Sequence, residues 1–189
     1  MDQALSHLSN GMTVAIGGFI NSSHPMMVVR EIIKRRLRDL TVVGAASSGL
    51  EIDLLIAAGV VKKVISPYIG AEGLAAIGPS FRGAAERGLI EVFELDEAMF
   101  YAGLRAAAQR VPFNPWRSGV GTSFPEINPN IKVFKDPCNG ETLLAIPAIN
   151  IDVAFLHAAT SDIYGNVQYV GHGFGDRAIY AASDLTFVQ

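Results

Sequence analysis

The chain has 189 residues, half of them apolar and 17% charged, a balance that suits one globular domain with a real core and excludes a disordered segment. A net charge of −3 gives no electrostatic footprint for nucleic acid, and the lone cysteine, Cys138, excludes an internal disulfide and suits a reducing compartment. No apolar run approaches the ~20 residues of a membrane span, and Met1-Asp2-Gln3-Ala4 is no secretory start, so a soluble cytoplasmic protein is expected.

Residues 12–18 (MTVAIGG) read as a strand running into a glycine turn. Pro25 suits the first position of a helix, where its missing N–H costs nothing. Val28, Val29, Ile32, Ile33 and Leu37 then follow at helical spacing. A second strand over 40–46 leads into the small-residue turn Ser47-Ser48-Gly49. Next comes a short helix over 51–58, which Gly59 can end in the left-handed conformation. Residues 62–68 and 89–95 are two more strands. Asp96 suits the N-cap of a helix carrying Met99, Phe100, Leu104 and Ala107 on one stripe, with Pro112 as its stop. Strand-like runs follow at 131–135, 142–146, 153–157, 166–170 and 184–189.

Strand, crossover helix, strand is the pattern of a mainly parallel central sheet with helices on both faces, a three-layer α/β/α domain over residues 1–189. The unbroken apolar run Val153-Ala154-Phe155-Leu156 marks a central strand buried on both sides. Residues 112–137 depart from this pattern. They hold five of the nine prolines, so an ordered loop or hairpin is expected there, and loops this long are usually functional. A strand pattern that runs up to residue 189 points to a chain truncated at its C-terminus.

Gly17-Gly18-Phe19 stands where an open α/β sheet binds ligands, at the end of a strand and before a helix N-terminus that favours a phosphate or carboxylate. It is not a dinucleotide fingerprint, and a plain tight turn explains it about as well. In the stretch 111–122 (VPFNPWRSGVGT), two prolines stiffen the entry and Gly-Val-Gly allows backbone N–H groups to converge on an anion or oxyanion. Trp116 and Arg117 offer stacking or a phosphate contact, with packing the plainer use of the tryptophan. The basic run Lys34, Arg35, Arg36 and Arg38 reads as a solvated helix face. His157 and His172 form no metal-ligand spacing, the glycine-rich run 171–175 has no assignable role, and no Gly-x-Ser-x-Gly elbow is present.

In order and spacing over nearly its whole length, the chain resembles the α subunits of family I coenzyme A transferases, of the glutaconate and 3-oxoacid type. The resemblance rests on Gly17, Gly18 and Phe19 after the first strand, and on Val111, Pro112 and Phe113 leading into Gly119, Gly121 and Thr122. It rests also on Asp162, Gly165 and Asn166 in an Asp-x-x-Gly-Asn turn, and on the segment 61–70. It implies the CoA-transferase (NagB/RpiA-like) fold and a reaction that moves CoA between carboxylic acids through a glutamyl nucleophile. In the family that glutamate lies on the β subunit. The comparable turn here carries Ser47, so the resemblance implies a β partner in a heterodimer or heterotetramer. It also implies acyl-CoA and a carboxylic acid as substrates, no metal or other cofactor, and a cleft lined by Gly17, Gly18, Phe19, Gly119, Val120, Gly121 and Thr122.

Glu97 belongs to an acidic cluster with Glu91, Glu94 and Asp96, and carboxylates in a first helical turn are favoured whatever the function. The run from Asp96-Glu97 to 103–110 (GLRAAAQR) also resembles a hydrolase-like branch linked to steroid-ring breakdown, in which this glutamate is a base. A CoA-ester hydrolase or ring-opening lyase using Glu97 is therefore the nearest alternative. A non-catalytic acyl-CoA or metabolite-binding module is the second.

Overall fold

The structure, a computed structural model, describes residues 1–171 and 173–189. In chain order its elements are α1 (Asp2–Leu5), β1 (Thr13–Ile16), α2 (Met26–Lys34), β2 (Leu40–Val43), α3 (Leu50–Ala57) and β3 (Val61–Ile65). There follow α4 (Pro79–Glu86), β4 (Glu91–Val92), α5 (Glu97–Ala108), β5 (Phe113–Trp116), α6 (Phe124–Ile127) and β6 (Lys132–Lys135). The last are β7 (Thr142–Pro147), β8 (Ile151–Leu156), β9 (Thr160–Ser161), β10 (Val167–Gln168), α7 (Asp176–Ala182) and β11 (Ser183–Val188).

Six strands form one parallel sheet in the order β11-β8-β1-β2-β3-β4. The chain works outward from β1 to β4, then returns to the other side of β1 with β8 and β11. Strand order thus reverses between β1 and β8, and a crevice opens outside the carboxyl ends of the strands at such a point.

Alternation along each strand sends neighbours to opposite faces. Val14, Ile16, Val42, Val64, Val153 and Phe155 face a core closed by α1 to α4, while Ala15, Val43, Ala154 and Leu156 face one closed by α5 and α7. β8 is buried on both sides, as its unbroken apolar run predicts, and each fully buried side chain such as Phe155 or Ile52 contributes about 1.5–3 kcal/mol. The sheet is the mainly parallel three-layer core expected from the sequence.

Several local expectations shift. Residues 112–137 hold two strands and a helix, and β5, β7 and β6 make a separate antiparallel sheet. Its inner face, with Leu144 and Ile146, closes over α5. Residues 166–170 form no strand of the main sheet; only β10 is extended, paired with β9 in a small hairpin. Pro25 is the N-cap of α2 and not its first residue. Gly59 does take the left-handed conformation after α3, at φ 70. α4 was not legible in the sequence because its cap comes from another helix: Asp53 on α3 accepts the Phe81 N–H at 2.8 Å. Among the described residues no helix is long and apolar enough to cross a membrane.

Candidate functional site

The loop after β1 is bare of side chains for internal reasons. Gly17 N donates to Phe155 O, and Gly18 N donates to the carboxylate of Asp176 at 2.9 Å. A Cβ on Gly17 would fall 2.6 Å from Asp176 Oδ1 and from Leu156 Cδ2. One on Gly18, whose φ is 113, would fall 2.3 Å from His24 Nδ1. Beyond the glycines, Phe19 and Ser22 exchange backbone hydrogen bonds at 2.9 Å, and Ile20 N donates to Ser47 O at 2.8 Å. Ile20 is held at φ 51, a left-handed conformation that costs a β-branched residue about 1–3 kcal/mol and persists only where its surroundings impose it. The amides of Gly17, Gly18, Phe19 and Ile20 are thus engaged within the chain. The Phe19 ring is half-buried, 5.0 Å from the ring of Phe174, and Asn21 and Ser22 are the exposed residues of the loop.

The turn after β2 meets this loop. Ser47 is half-buried and its carbonyl takes the Ile20 amide. Ser48 is fully buried, its hydroxyl on Ala45 O. Gly49 N donates to both oxygens of Glu51, at 2.9 and 3.1 Å, and a Cβ on Gly49 would strike Ile20 O. Glu51 is fully buried in the first turn of α3, and its carboxylate lies 3.3 Å from His24 Nε2. Burial pushes the Glu51 carboxyl above the ordinary glutamate range, while His24 and the Gly49 amide pull it back.

The segment 119–122 joins the assembly through α5. Gly119 at φ 88 and Gly121 at φ 82 flank Val120, whose N–H turns back to Arg117 O at 3.4 Å. A Cβ on Gly119 would lie 2.6 Å from Met99 Cε, so the loop rests on the first turns of α5. Thr122 closes it, with its N–H and hydroxyl both on Gly119 O. Gly119 and Gly121 N–H have no acceptor within the chain among the described residues. Arg117 is committed to a two-pronged bond with Glu141 at 2.7 and 2.9 Å, and Trp116 packs on the core.

At the start of α5, Asp96 caps the helix by accepting Met99 N–H at 2.7 Å. The acidic cluster disperses: Glu91 pairs with Lys63 at 2.6 Å, Asp96 is the cap, and Glu97 remains exposed without an ion pair among the described residues. One turn on from Glu97 stands Tyr101, whose hydroxyl is buried with no hydrogen-bond partner among the described residues. Burial, with the charges of Glu97 and Asp176, pushes this phenol up to about 12. Tyr101 packs edge-on against Phe174, 6.2 Å away, which completes a path from Glu97 to Phe19. Gly119 thus rests on Met99 of α5, and Phe19 reaches Tyr101 of the same helix through the ring of Phe174.

The run 103–110 has a packing explanation of its own. Gly103 lets α5 approach the chain so closely that a Cβ would lie 2.8 Å from Ile149 and 2.9 Å from Pro147 O. The small side chains of Ala106 and Ala107 are buried beside it.

Asp162, Gly165 and Asn166 build the tip of the β9–β10 hairpin. Asp162 accepts from Tyr164 N, Asn166 N and Asn166 Nδ2 at 2.7–2.9 Å, which holds its carboxyl below the ordinary range. A cavity of about 810 Å³ lies between this turn, α7 and β11, and Asp176 reaches its wall. The basic run stands elsewhere: Lys34 and Arg35 pair with Glu31, and the backbone of Arg38, near the amino end of β1, accepts from Gly11 N–H and donates to Asn10 Oδ1. His172 lies outside the described residues. Sequence reasoning missed His24, Glu51 and Asp176; the local signals were a histidine before Pro25 and an acid one residue into a helix, neither unusual alone.

A family model described as Coenzyme A transferase matches residues 1–189. The chain is 39% identical over 177 residues to the IpdA subunit of the cholesterol ring-cleaving hydrolase of Mycobacterium tuberculosis, covering 90% of this chain and 60% of that subunit. To the A-type subunit of the 3-oxoadipate CoA-transferase of Pseudomonas knackmussii it is 35% identical over 167 residues, covering 87% and 58%. The glutaconate coenzyme A-transferase of Acidaminococcus fermentans has a solved structure that superposes with a TM-score of 0.89 at 28% identity, over 99% of this chain and 64% of that one. The chain thus spans about 60% of the length of the curated relatives it matches. With the family model matching it from end to end over a parallel sheet of the same fold, the chain belongs to the coenzyme A transferase family.

Proposed function

We propose that this chain is the α-type half of a CoA-transferase that moves coenzyme A between carboxylic acids, with the nucleophilic glutamate supplied by a β-type partner subunit. The turn after β2 carries this reading. Where the family's β subunits bear the nucleophile, this chain has Ser47, whose hydroxyl has no hydrogen-bonded base among the described residues. The adjacent carboxylate, Glu51, is buried and turned onto Gly49 and His24.

In this reaction the partner's carboxylate attacks the thioester carbonyl, expels CoA thiolate and leaves an acyl anhydride. The thiolate then attacks the glutamyl carbonyl, releasing the first acid and leaving a glutamyl–CoA thioester. The acceptor acid reverses these two steps. This chain would form one wall of the cleft, with Phe19 and Val120 against the acyl group and the amides of Gly119 and Gly121 toward the developing oxyanion. Coenzyme A is a substrate here. Co-expressed with a β-type partner, the complex should transfer CoA from an acyl-CoA to an added carboxylic acid, and borohydride reduction of the trapped thioester should mark the partner. A mark on this chain, or transfer by this chain alone, sinks the reading.

A second reading has specific support. The 39% identity to a ring-cleaving hydrolase subunit, and the exposure of Glu97 beside Tyr101, favour a CoA-ester hydrolase or ring-opening lyase with Glu97 as base. In the complex, Glu97→Gln separates the two: unchanged turnover excludes Glu97 as base. Acyl-CoA binding without turnover in any such complex would leave the binding-module alternative.

A further inference from the structure

The 17–22 loop and the 47–49 turn reach the carboxyl edge of the sheet from different strands, joined by the Ile20 N–H on Ser47 O and by a buried side-chain contact. His24 Nδ1 lies 2.8 Å from Gly17 O, and Nε2 lies 3.0 Å from Ile20 O and 3.3 Å from Glu51 Oε2. The two side chains are 5% and 0% exposed. Carbonyl oxygens only accept hydrogen bonds, so both ring nitrogens must carry protons for both bonds to form. Glu51 is then the counter-ion, itself fixed by Gly49 N–H at the start of α3, where the helix favours a negative charge.

Other groups bear on the same point. Asp176, from α7, holds Gly18 N–H on the far side of the loop, and its carboxyl feels both His24 and His157. Tyr169 and Tyr101 approach Asp176 in turn. The backbone supplies an independent sign. Ile20 sits in a conformation disfavoured for its type, and the two bonds that hold its peptide groups run to His24 and to Ser47.

We propose that His24 and Glu51 are a positioning pair that locks the 17–22 loop to the 47–49 turn, so that two strand ends present one rigid edge to substrate. The significance for catalysis rests on the function proposed above, but the lock itself does not. His24 pulls the carbonyls of Gly17 and Ile20 inward, which fixes the direction of Phe19. Glu51 holds the turn against which Ile20 N–H is bonded. With either side chain removed, the Ile20 N–H on Ser47 O would remain as a single backbone tie, without a side chain bracing it.

The lock is tested on the full chain without ligand. Nitrogen-15 NMR of the histidine rings at neutral pH should show both nitrogens of His24 protonated, with slowly exchanging ring N–H protons. Amide exchange should be at least about tenfold faster in Glu51→Gln at Ile20 and Gly49 together, with α5 unchanged. His24→Gln should loosen the same two positions, and His24→Lys, which keeps a cation with several donors, should restore them. A His24 ring with one unprotonated nitrogen overturns the proposal, as does faster exchange at only one turn. If the variants do not fold, the ring spectrum of the parent decides. A confirmed lock with no CoA transfer in the partnered complex would remove the proposed function and leave the positioning pair standing.

Discussion

The Gly18 amide donates to Asp176 Oδ1 at 2.9 Å across 158 positions of sequence, which ties the end of β1 to the first residue of α7. Behind the same glycine, His24 Nδ1 occupies the place where a Cβ would stand. Gly18→Ala therefore meets both a left-handed backbone and a ring that cannot retreat from its carbonyls. The expected loss is about 2–4 kcal/mol. Gly165→Ala is the control, left-handed but in open space, and should cost about 1–2 kcal/mol. Urea denaturation of both variants measures the difference; equal losses would show that the ring does not confine Gly18.

Burial raises the Asp176 carboxyl, while Gly18, Tyr169, His24 and His157 pull it back. The folded chain therefore holds this proton more tightly than the unfolded chain does. The resulting stability is fully present below the ordinary aspartate value of 3.8 and is lost as pH rises through the folded value. Asp176→Asn keeps an acceptor for Gly18 N–H and carries no charge. It should melt above the parent at pH 7.5, with the gap closing toward pH 3.5. A parent that is the more stable at pH 7.5 contradicts this.

Among the described residues, Asp96 alone caps the start of its own helix with a side-chain hydrogen bond. Asp96→Ala should cost about 1 kcal/mol. It should also loosen the 119–122 loop, because Gly119 rests on Met99, whose N–H is the capped one. Hydrogen exchange at Val120 and Thr122 reads the second effect, and no change there would separate the cap from the loop.

Glu97 is exposed and without an ion pair among the described residues, so Glu97→Gln should alter stability by no more than about 0.5 kcal/mol. Any change in turnover of the partnered complex then reports chemistry and not folding. Loss of CoA-ester hydrolysis with CoA transfer intact would assign Glu97 to a hydrolytic step. Full retention of both activities would leave it a helix-start carboxylate.

Much of the framework was legible because its causes are local. The apolar run of β8, the left-handed Gly59 and the Asp96 cap each depend on neighbours within one turn or one strand. α4 was hidden because Asp53, on a different helix, supplies its cap. Two strands of the small antiparallel sheet, β6 and β7, were legible as apolar runs; β5 was hidden because it carries Pro115, which an edge strand tolerates and a central strand would reject.

The sequence by itself determined the alternating α/β order, the central strand and the positions where glycine turns would stand, since periodicity and backbone preference act over a few residues. Only the tertiary structure decided what those glycines face. Asp176, His24 and Glu51 are far apart in the chain or unremarkable within it. They become one buried charged cluster because parallel strands deliver their following loops to the same edge, where burial and hydrogen bonding, not sequence spacing, choose the partners.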